Sequence, residues 1–379
     1  MAIIRSGPYS ICSGSLVPQK FQALKILQFI DSLHAGGAER MCVNIANVLH
    51  ENGYEVQICA SRNGGPLEKF ILPGVKYHIL KKRNSVDIFA FYRFVVILKA
   101  QRIDIIHAHS SSVFWAVGAK LIVKNIKVIW HDHLGMRINE RKKNFFYKLI
   151  STKIDGIISV NHELAEWSRQ NMKVPSERIV MINNFSILNS LKKRSEPEMF
   201  TIVCLANLRP QKDHITLLRA IAQLKEMNLH KRLKVILAGS DDDQKYVGKL
   251  RVLISDLGLE EIIEMPGSIE DTSSLLASAD CGVLTSVSEG LPVALLEYGL
   301  AELPVVVTNV GQCAEVVDYG KCGFLIEPGD FNQLAGYLKL LLLNAKLRQE
   351  LGSKLNQRVM AVYSCNAFLH KYKKLLTYL

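Results

Sequence analysis

No apolar run among the 379 residues approaches the roughly 18 that a membrane-spanning helix needs. The opening segment, residues 1–22, holds only short apolar pieces broken by Pro8. That is a poor secretion signal, and it reads as an N-terminal extension. The eight cysteines form no Cys-x-x-Cys pair and no Cys/His cluster. Cys42, Cys59, Cys204 and Cys281 sit inside apolar runs, where cysteine acts as a small hydrophobe. Reduced thiols and a cytoplasmic location are therefore expected, and a Cys313–Cys322 pair is not. No Gly-x-Gly-x-x-Gly follows the first strand-like run, which disfavours a nicotinamide dehydrogenase. No zinc-finger or RNA-binding signature is present, so nucleic acid is not an expected partner.

Acidic residues are scarce in the first half. Residues 1–195 hold 28 Lys and Arg against 13 Asp and Glu, whereas residues 196–379 hold 19 against 22. The net +12 is thus a first-half property, and it points to an anionic partner. Two stretches there mix basic and large apolar residues, Phe89 to Lys99 and Arg141 to Lys148. Such stretches suit helices lying on an anionic membrane surface; a helix packed on the core with a solvated basic face is the plainer alternative.

What is present is a repeated strand–helix alternation. Leu24 to Ile30 reads as a strand, His34 to Arg40 as a glycine turn, and Met41, Ile45, Val48 and Leu49 recur at helical spacing before Gly53 and the strand Glu55 to Ala60. Further strands are expected over residues 103–109, 127–130, 156–160 and 178–182, with a small-residue helix around Trp115 to Val123. The charged, aperiodic residues 191–199 read as a linker. The alternation then restarts with strands at 200–205, 234–239, 262–265, 281–285 and 304–308. Length and pattern predict an α/β chain of two tandem Rossmann-like domains, 23–190 and 200–365, facing across a cleft. The basic, amphipathic tail 366–379 either packs on the first domain or ends the second.

The most informative stretch is Ser288 to Glu297. It follows a buried strand, and Pro292 suits the first position of a helix. A helix N-terminus flanked by Glu289 and Glu297 offers anion binding between two hydroxyl-binding carboxylates. A plain strand-to-helix loop is the alternative from those ten residues alone. Asp241-Asp242-Asp243 reads as a solvated loop rather than a metal site. His107 and His109 repeat the spacing of His131 and His133, but no third metal ligand is evident beside them. His131 is expected on the opposite face of its extended segment from His133.

Gly36-Gly37-Ala38-Glu39-Arg40, Asn207-Leu208-Arg209-Pro210-Gln211-Lys212, Pro266-Gly267, the Glu289–Glu297 stretch and Gly323-Phe324-Leu325 together resemble the retaining family-4 glycosyltransferases of the GT-B fold. The resemblance covers about residues 24–365. It implies hexosyl transfer from a nucleoside-diphosphate sugar, UDP- or GDP-linked, to a glycan or lipid-linked sugar, in surface polysaccharide or glycolipid synthesis. It implies no metal cofactor, and together with the basic first half it leads to the expectation of an enzyme peripheral on the inner membrane face. It assigns Glu289 to the sugar, Glu297 to the ribose, the amides of Gly290 and Leu291 with Lys212 and Arg209 to the diphosphate, and Pro266 and Gly267 to the base. Gly36 and Gly37 would admit the diphosphate or the acceptor, and His133 would stand near the reactive carbon. Asn207 departs from the pattern, which usually has arginine there. Two other readings share the fold: a nucleotide-sugar 2-epimerase, and an inactive transferase-like scaffold in a polysaccharide assembly complex.

Overall fold

The computed structural model describes residues 24–34, 36–133, 141–188, 199–229, 233–269 and 271–379. The chain forms two compact units. One runs to Phe185 and takes in Cys365–Leu379; the other is Ser186–Ser364. The expected extension 1–22 and most of the expected linker 191–199 lie outside the described residues.

The first unit is built on seven parallel strands: β1 (Lys25–Ser32), β2 (Glu55–Asn63), β3 (Lys76–Ile79), β4 (Ile105–His109), β5 (Lys127–Asp132), β6 (Gly156–Ser159) and β7 (Ile179–Met181). Their order is β3-β2-β1-β4-β5-β6-β7. The direction of winding reverses between β1 and β4, where such sheets open a crevice at their carboxyl ends. Helices on both faces require strands apolar on both sides, and all five residues of β4 are buried. Helix Ile88–Ala100 follows Asp87, whose carboxylate accepts from Ala90 N at 2.9 Å. It packs Ala90, Phe94 and Leu98 inward at four-residue spacing. Its outer face is apolar as well as basic: Ile88, Phe89, Tyr92 and Val96 are exposed.

The chain's last helix, Cys365–Leu376, belongs to this first unit. Lys371 donates to the Met181 carbonyl at 3.1 Å, and Tyr372, fully buried, stacks on His107 with ring centroids 5.5 Å apart.

The second unit holds six parallel strands: β8 (Phe200–Leu205), β9 (Leu233–Ala238), β10 (Ile263–Gly267), β11 (Cys281–Leu284), β12 (Val305–Thr308) and β13 (Phe324–Ile326), in the order β10-β9-β8-β11-β12-β13. Its winding reverses between β8 and β11. Tyr298 fixes that junction. Its hydroxyl accepts from Leu205 N at 2.7 Å and lies 3.2 Å from the Val203 carbonyl and 3.3 Å from that of Val283. A Cβ on Gly282 would stand 2.4 Å from the Tyr298 ring, so β11 needs a glycine where the ring crosses it.

Several details differ from the sequence reading. The edge strand β3 is not legible in the sequence, because Lys-Tyr-His-Ile shows neither alternation nor a continuous apolar run. β10 runs through Pro266 and Gly267, two residues past the expected strand end at 265. Helix Val293–Leu300 starts one residue later than expected, with Pro292 as its cap. Cys42, Cys59, Cys204, Cys281, Cys313 and Cys322 are free and buried. Cys365 is disulfide-bonded, against the expectation of reduced thiols throughout. Among the described residues no helix is long and apolar enough to cross a membrane.

Candidate active site

In the second unit, the loops after β8 and β11 meet. The Arg209-Pro210-Gln211-Lys212 segment makes a single 3-10 turn and leaves it through Asp213 in the left-handed region, φ 45°. Gln211 then pairs with the loop after β11: Val287 N donates to its carbonyl at 2.9 Å, and its side-chain amide donates to the Ser288 carbonyl at 2.9 Å. Thr285 Oγ1 donates to the Lys212 carbonyl at 3.1 Å. These bonds bring Lys212 Nζ to 2.5 Å from Glu289 Oε1, with both side chains largely buried. Ser286 Oγ donates to the same oxygen at 2.6 Å. Ser286 is held in turn by Thr308, whose hydroxyl donates to its carbonyl at 2.6 Å.

From behind, the 310–312 segment presses on the loop. Gln312 N donates to the Gly290 carbonyl at 3.0 Å. Gly311 has φ +53°, and a Cβ there would stand 2.1 Å from the Glu289 carbonyl. Glycine is needed for both reasons. Sequence reasoning missed Ser286, Thr285, Thr308 and Gly311, because hydroxyls and single glycines in loops carry no periodic signal.

Glu297 lies inside helix Val293–Leu300. Its carboxylate accepts from Ser186 Oγ at 3.1 Å and from Thr272 Oγ1 at 3.3 Å. It is an ionisable acceptor dressed with hydroxyls, as a polyol site requires. Gly267 has φ +78° and gives its carbonyl to Gly239 N at 3.0 Å. Among the described residues, nothing lies within 4 Å of the place a Cβ would take on Gly37, Gly267 or Gly290. Each of these glycines therefore borders open space at its own βα junction. Asn207 holds the neighbouring loop: its Oδ1 accepts from Ser240 N at 3.2 Å. Arg209 is exposed in the loop that carries Lys212. Asp243 caps the next helix by accepting from Tyr246 N, and Asp242 bonds Ser240, so the Asp triplet is occupied with local turns. Beside Lys212, His214 is fully buried, and burial and the Lys212 charge push its pKa down to about 4.

In the first unit, Gly36 caps helix Gly37–Glu51, and Arg40 N donates to the Gly36 carbonyl at 2.9 Å. At the carboxyl ends of the neighbouring strands stand His109 on β4 and His133 just past β5. His131 does not lie on the opposite face from His133: the two rings stack with centroids 4.0 Å apart. Side chains alternate with period two, so residues two apart share a face. The parallel register places His109 beside His131. The third ligand-type residue that sequence spacing did not reveal therefore comes from the adjacent strand. His109 Nδ1 lies 2.8 Å from His133 Nε2, and His109 Nε2 lies 2.9 Å from Gln28 Oε1. Burial pushes the pKa of both His107 and His133 down to about 3, and those of His109 and His131 fall as well.

Residues 35–186 match the family model described as Glycosyltransferase Family 4, and residues 188–358 match Glycosyl transferases group 1. The chain is thus a glycosyltransferase, and its two parallel-sheet units are those of the GT-B architecture. Among curated relatives, the N-acetyl-alpha-D-glucosaminyl L-malate synthase of Bacillus anthracis is 23% identical over 89% of this chain and 93% of its own. The UDP-Gal:alpha-D-GlcNAc-diphosphoundecaprenol alpha-1,3-galactosyltransferase of Escherichia coli is 23% identical over 80% of this chain and 84% of its own. Among solved structures, Anabaena Alr3699/HepE in complex with UDP aligns with a TM-score of 0.75 at 20% identity, covering 94% of this chain and all of that one.

Proposed function

We propose that this chain transfers a hexosyl group, with retention, from a UDP- or GDP-sugar to a lipid-linked sugar in surface polysaccharide or glycolipid synthesis. The observation that carries this reading is the Lys212–Glu289–Ser286 constellation at the β8/β11 junction, with Glu297 on the following helix. Glu289 takes the sugar hydroxyls. Lys212 moves its charge to the departing diphosphate, helped by Arg209 and the amides of Gly290 and Leu291 at the helix N-terminus. Glu297 takes the ribose hydroxyls. Pro266 and the open space over Gly267 take the base, and Gly36 and Gly37 face the diphosphate or the acceptor.

Retention needs no carboxylate nucleophile here. The bond from the anomeric carbon to phosphate oxygen breaks, the acceptor oxygen bonds to the same face, and its proton passes to the leaving phosphate. Positioning and charge stabilisation carry the catalysis. His133, held uncharged, lines the reactive carbon. No divalent ion on the diphosphate is required, because Lys212, Arg209 and the helix N-terminus supply the positive charge.

The acceptor class is supported by the galactosyltransferase relative, whose name specifies a diphosphoundecaprenol acceptor. It is also supported by the outer surface of the first unit. Ile88, Phe89, Tyr92, Phe145, Phe146 and Leu149 are exposed there together with Lys99 and Lys148. In this reading that surface lies on the anionic inner face of the membrane. Salt-sensitive flotation with anionic vesicles is expected, and it should weaken in a Phe89→Asp/Phe146→Asp variant; no salt-sensitive flotation of the unaltered chain would favour a water-soluble acceptor.

A thermal-shift panel of UDP, GDP, ADP and their sugars tests the donor, since a ligand stabilises in proportion to ln(1 + [L]/Kd). NMR of the product anomer then tests retention. An inverted anomer, or turnover of donor without acceptor, would overturn the proposal.

A further inference from the structure

The four histidines at the ends of β4 and β5 use their ring nitrogens on one another. His107 Nε2 lies 3.1 Å from His131 Nδ1, and His109 Nδ1 lies 2.8 Å from His133 Nε2. A neutral imidazole has one N–H and one lone pair. His109 donates from Nε2 to Gln28 Oε1, so its Nδ1 presents a lone pair toward the cluster. His107 Nδ1, His131 Nε2 and His133 Nδ1 are buried and have no hydrogen-bond partner. Buried polar atoms are rarely left so, and three at one place mean that the network is incomplete as it stands.

We propose that His107, His109 and His131 bind one borderline divalent transition-metal cation of the zinc class, buried in the first unit. One ring nitrogen from each of the three lies within 4.8 Å of one from each of the others. Imidazole binds zinc at about 2.0–2.1 Å, which sets nitrogens ~3.4 Å apart in a tetrahedron. Closing from the observed spacing to that geometry takes about an ångström of ring movement. An all-imidazole set selects Zn²⁺, Co²⁺, Ni²⁺ or Cu²⁺ over Mg²⁺ and Ca²⁺, which take oxygen. Gln28 plays the part that an outer partner plays at such sites: its carbonyl oxygen fixes the His109 tautomer and ring orientation. The three imidazoles leave a fourth position for water, as in three-ligand zinc sites, and His133 touches the site through His109, its Nε2 lying 2.8 Å from His109 Nδ1. Tyr372 stacks on His107 from the last helix, so the ion would join β1, β4, β5 and that helix. It would also set where His133 points.

The test uses the full chain, free of any affinity tag, stripped with chelator and dialysed. Elemental analysis after incubation with Zn²⁺ should show one tightly held equivalent. Co²⁺ in its place should give the visible absorption of a four-coordinate site. Both should be lost in His109→Gln and in His131→Gln, with the far-ultraviolet circular dichroism retained. Gln28→Leu should weaken binding by about 10- to 100-fold, the usual effect of removing an outer partner. Should a ligand variant fail to fold, the Co²⁺ spectrum of the unaltered chain decides by itself. No bound equivalent, a spectrum of octahedral oxygen ligation, or full retention of metal in both variants would overturn the site.

Discussion

Lys212 and Glu289 hold each other at 2.5 Å across the β8/β11 junction, with Ser286 sharing the same carboxylate oxygen. The two side chains that the proposed function assigns to different parts of one donor are thus held as an ion pair. Under the proposed function, donor binding would trade that pair for two new ones: Glu289 with sugar hydroxyls, and Lys212 with phosphate oxygens. The pair keeps a largely buried cation and anion satisfied when no donor is bound.

Lys212→Ala removes the charge that the proposed function places on the departing diphosphate. A loss of about 10²–10³ in kcat is expected, the scale of one preorganised contact. Steady-state kinetics at saturating donor measure it, and an unchanged kcat would remove Lys212 from the chemistry.

Glu297→Gln keeps the shape of the side chain and removes its charge. A charged acceptor contributes about 1.5–3 kcal/mol to a hydrogen bond, so the donor KM should rise by about tenfold or more, with kcat nearly unchanged. Free nucleoside diphosphate should lose affinity in parallel, which calorimetry reads directly. If only kcat fell, Glu297 would not be a ribose ligand.

Gly311→Ala places a Cβ against the Glu289 carbonyl, at a backbone angle L-residues avoid. The left-handed conformation alone costs about 1–2 kcal/mol, and the clash adds to it. A lower Tm is expected, with donor affinity weakened further than the stability loss explains. Gly290→Ala faces open space and should leave Tm nearly unchanged while weakening the donor.

His214 makes the second unit acid-sensitive. Its folded pKa is about 4 against 6.5 for an unhindered histidine. As pH falls below 6.5 the unfolded chain takes up the proton first. The contribution to stability is therefore present in full above about pH 6.5 and is lost progressively as pH approaches 4. The shift corresponds to about 3 kcal/mol. Urea midpoints should fall between about pH 7 and pH 4, and His214→Asn should flatten that slope.

The tandem alternation of strands and helices was legible because buried parallel strands are continuous apolar runs with glycine turns between them. Glu289, Glu297, Lys212 and Gly267 could be singled out because charged residues and glycines at βα junctions stand apart from such runs. The supporting hydroxyls could not be, since Ser286 and Thr308 look like any loop residues until the two strands are side by side. The histidines show where the reading failed. Spacing within one strand pairs His107 with His109 and His131 with His133, but only the β4–β5 register reveals one stacked cluster. Asn207, a departure in sequence, has a local task in the structure: it anchors Ser240.

The return of Cys365–Leu376 to the first unit also sets an order of events at the ribosome. The unit whose synthesis starts first lacks this helix until residues 365–376 have been made, whereas Ser186–Ser364 is complete before then. The younger half can therefore finish folding ahead of the older one. A stop codon just after residue 364 would spare Lys212, Glu289 and Glu297 in the second unit, yet leave the histidine face without Tyr372. A lesion written late in the message would thus be felt in the half of the protein that the message encodes early.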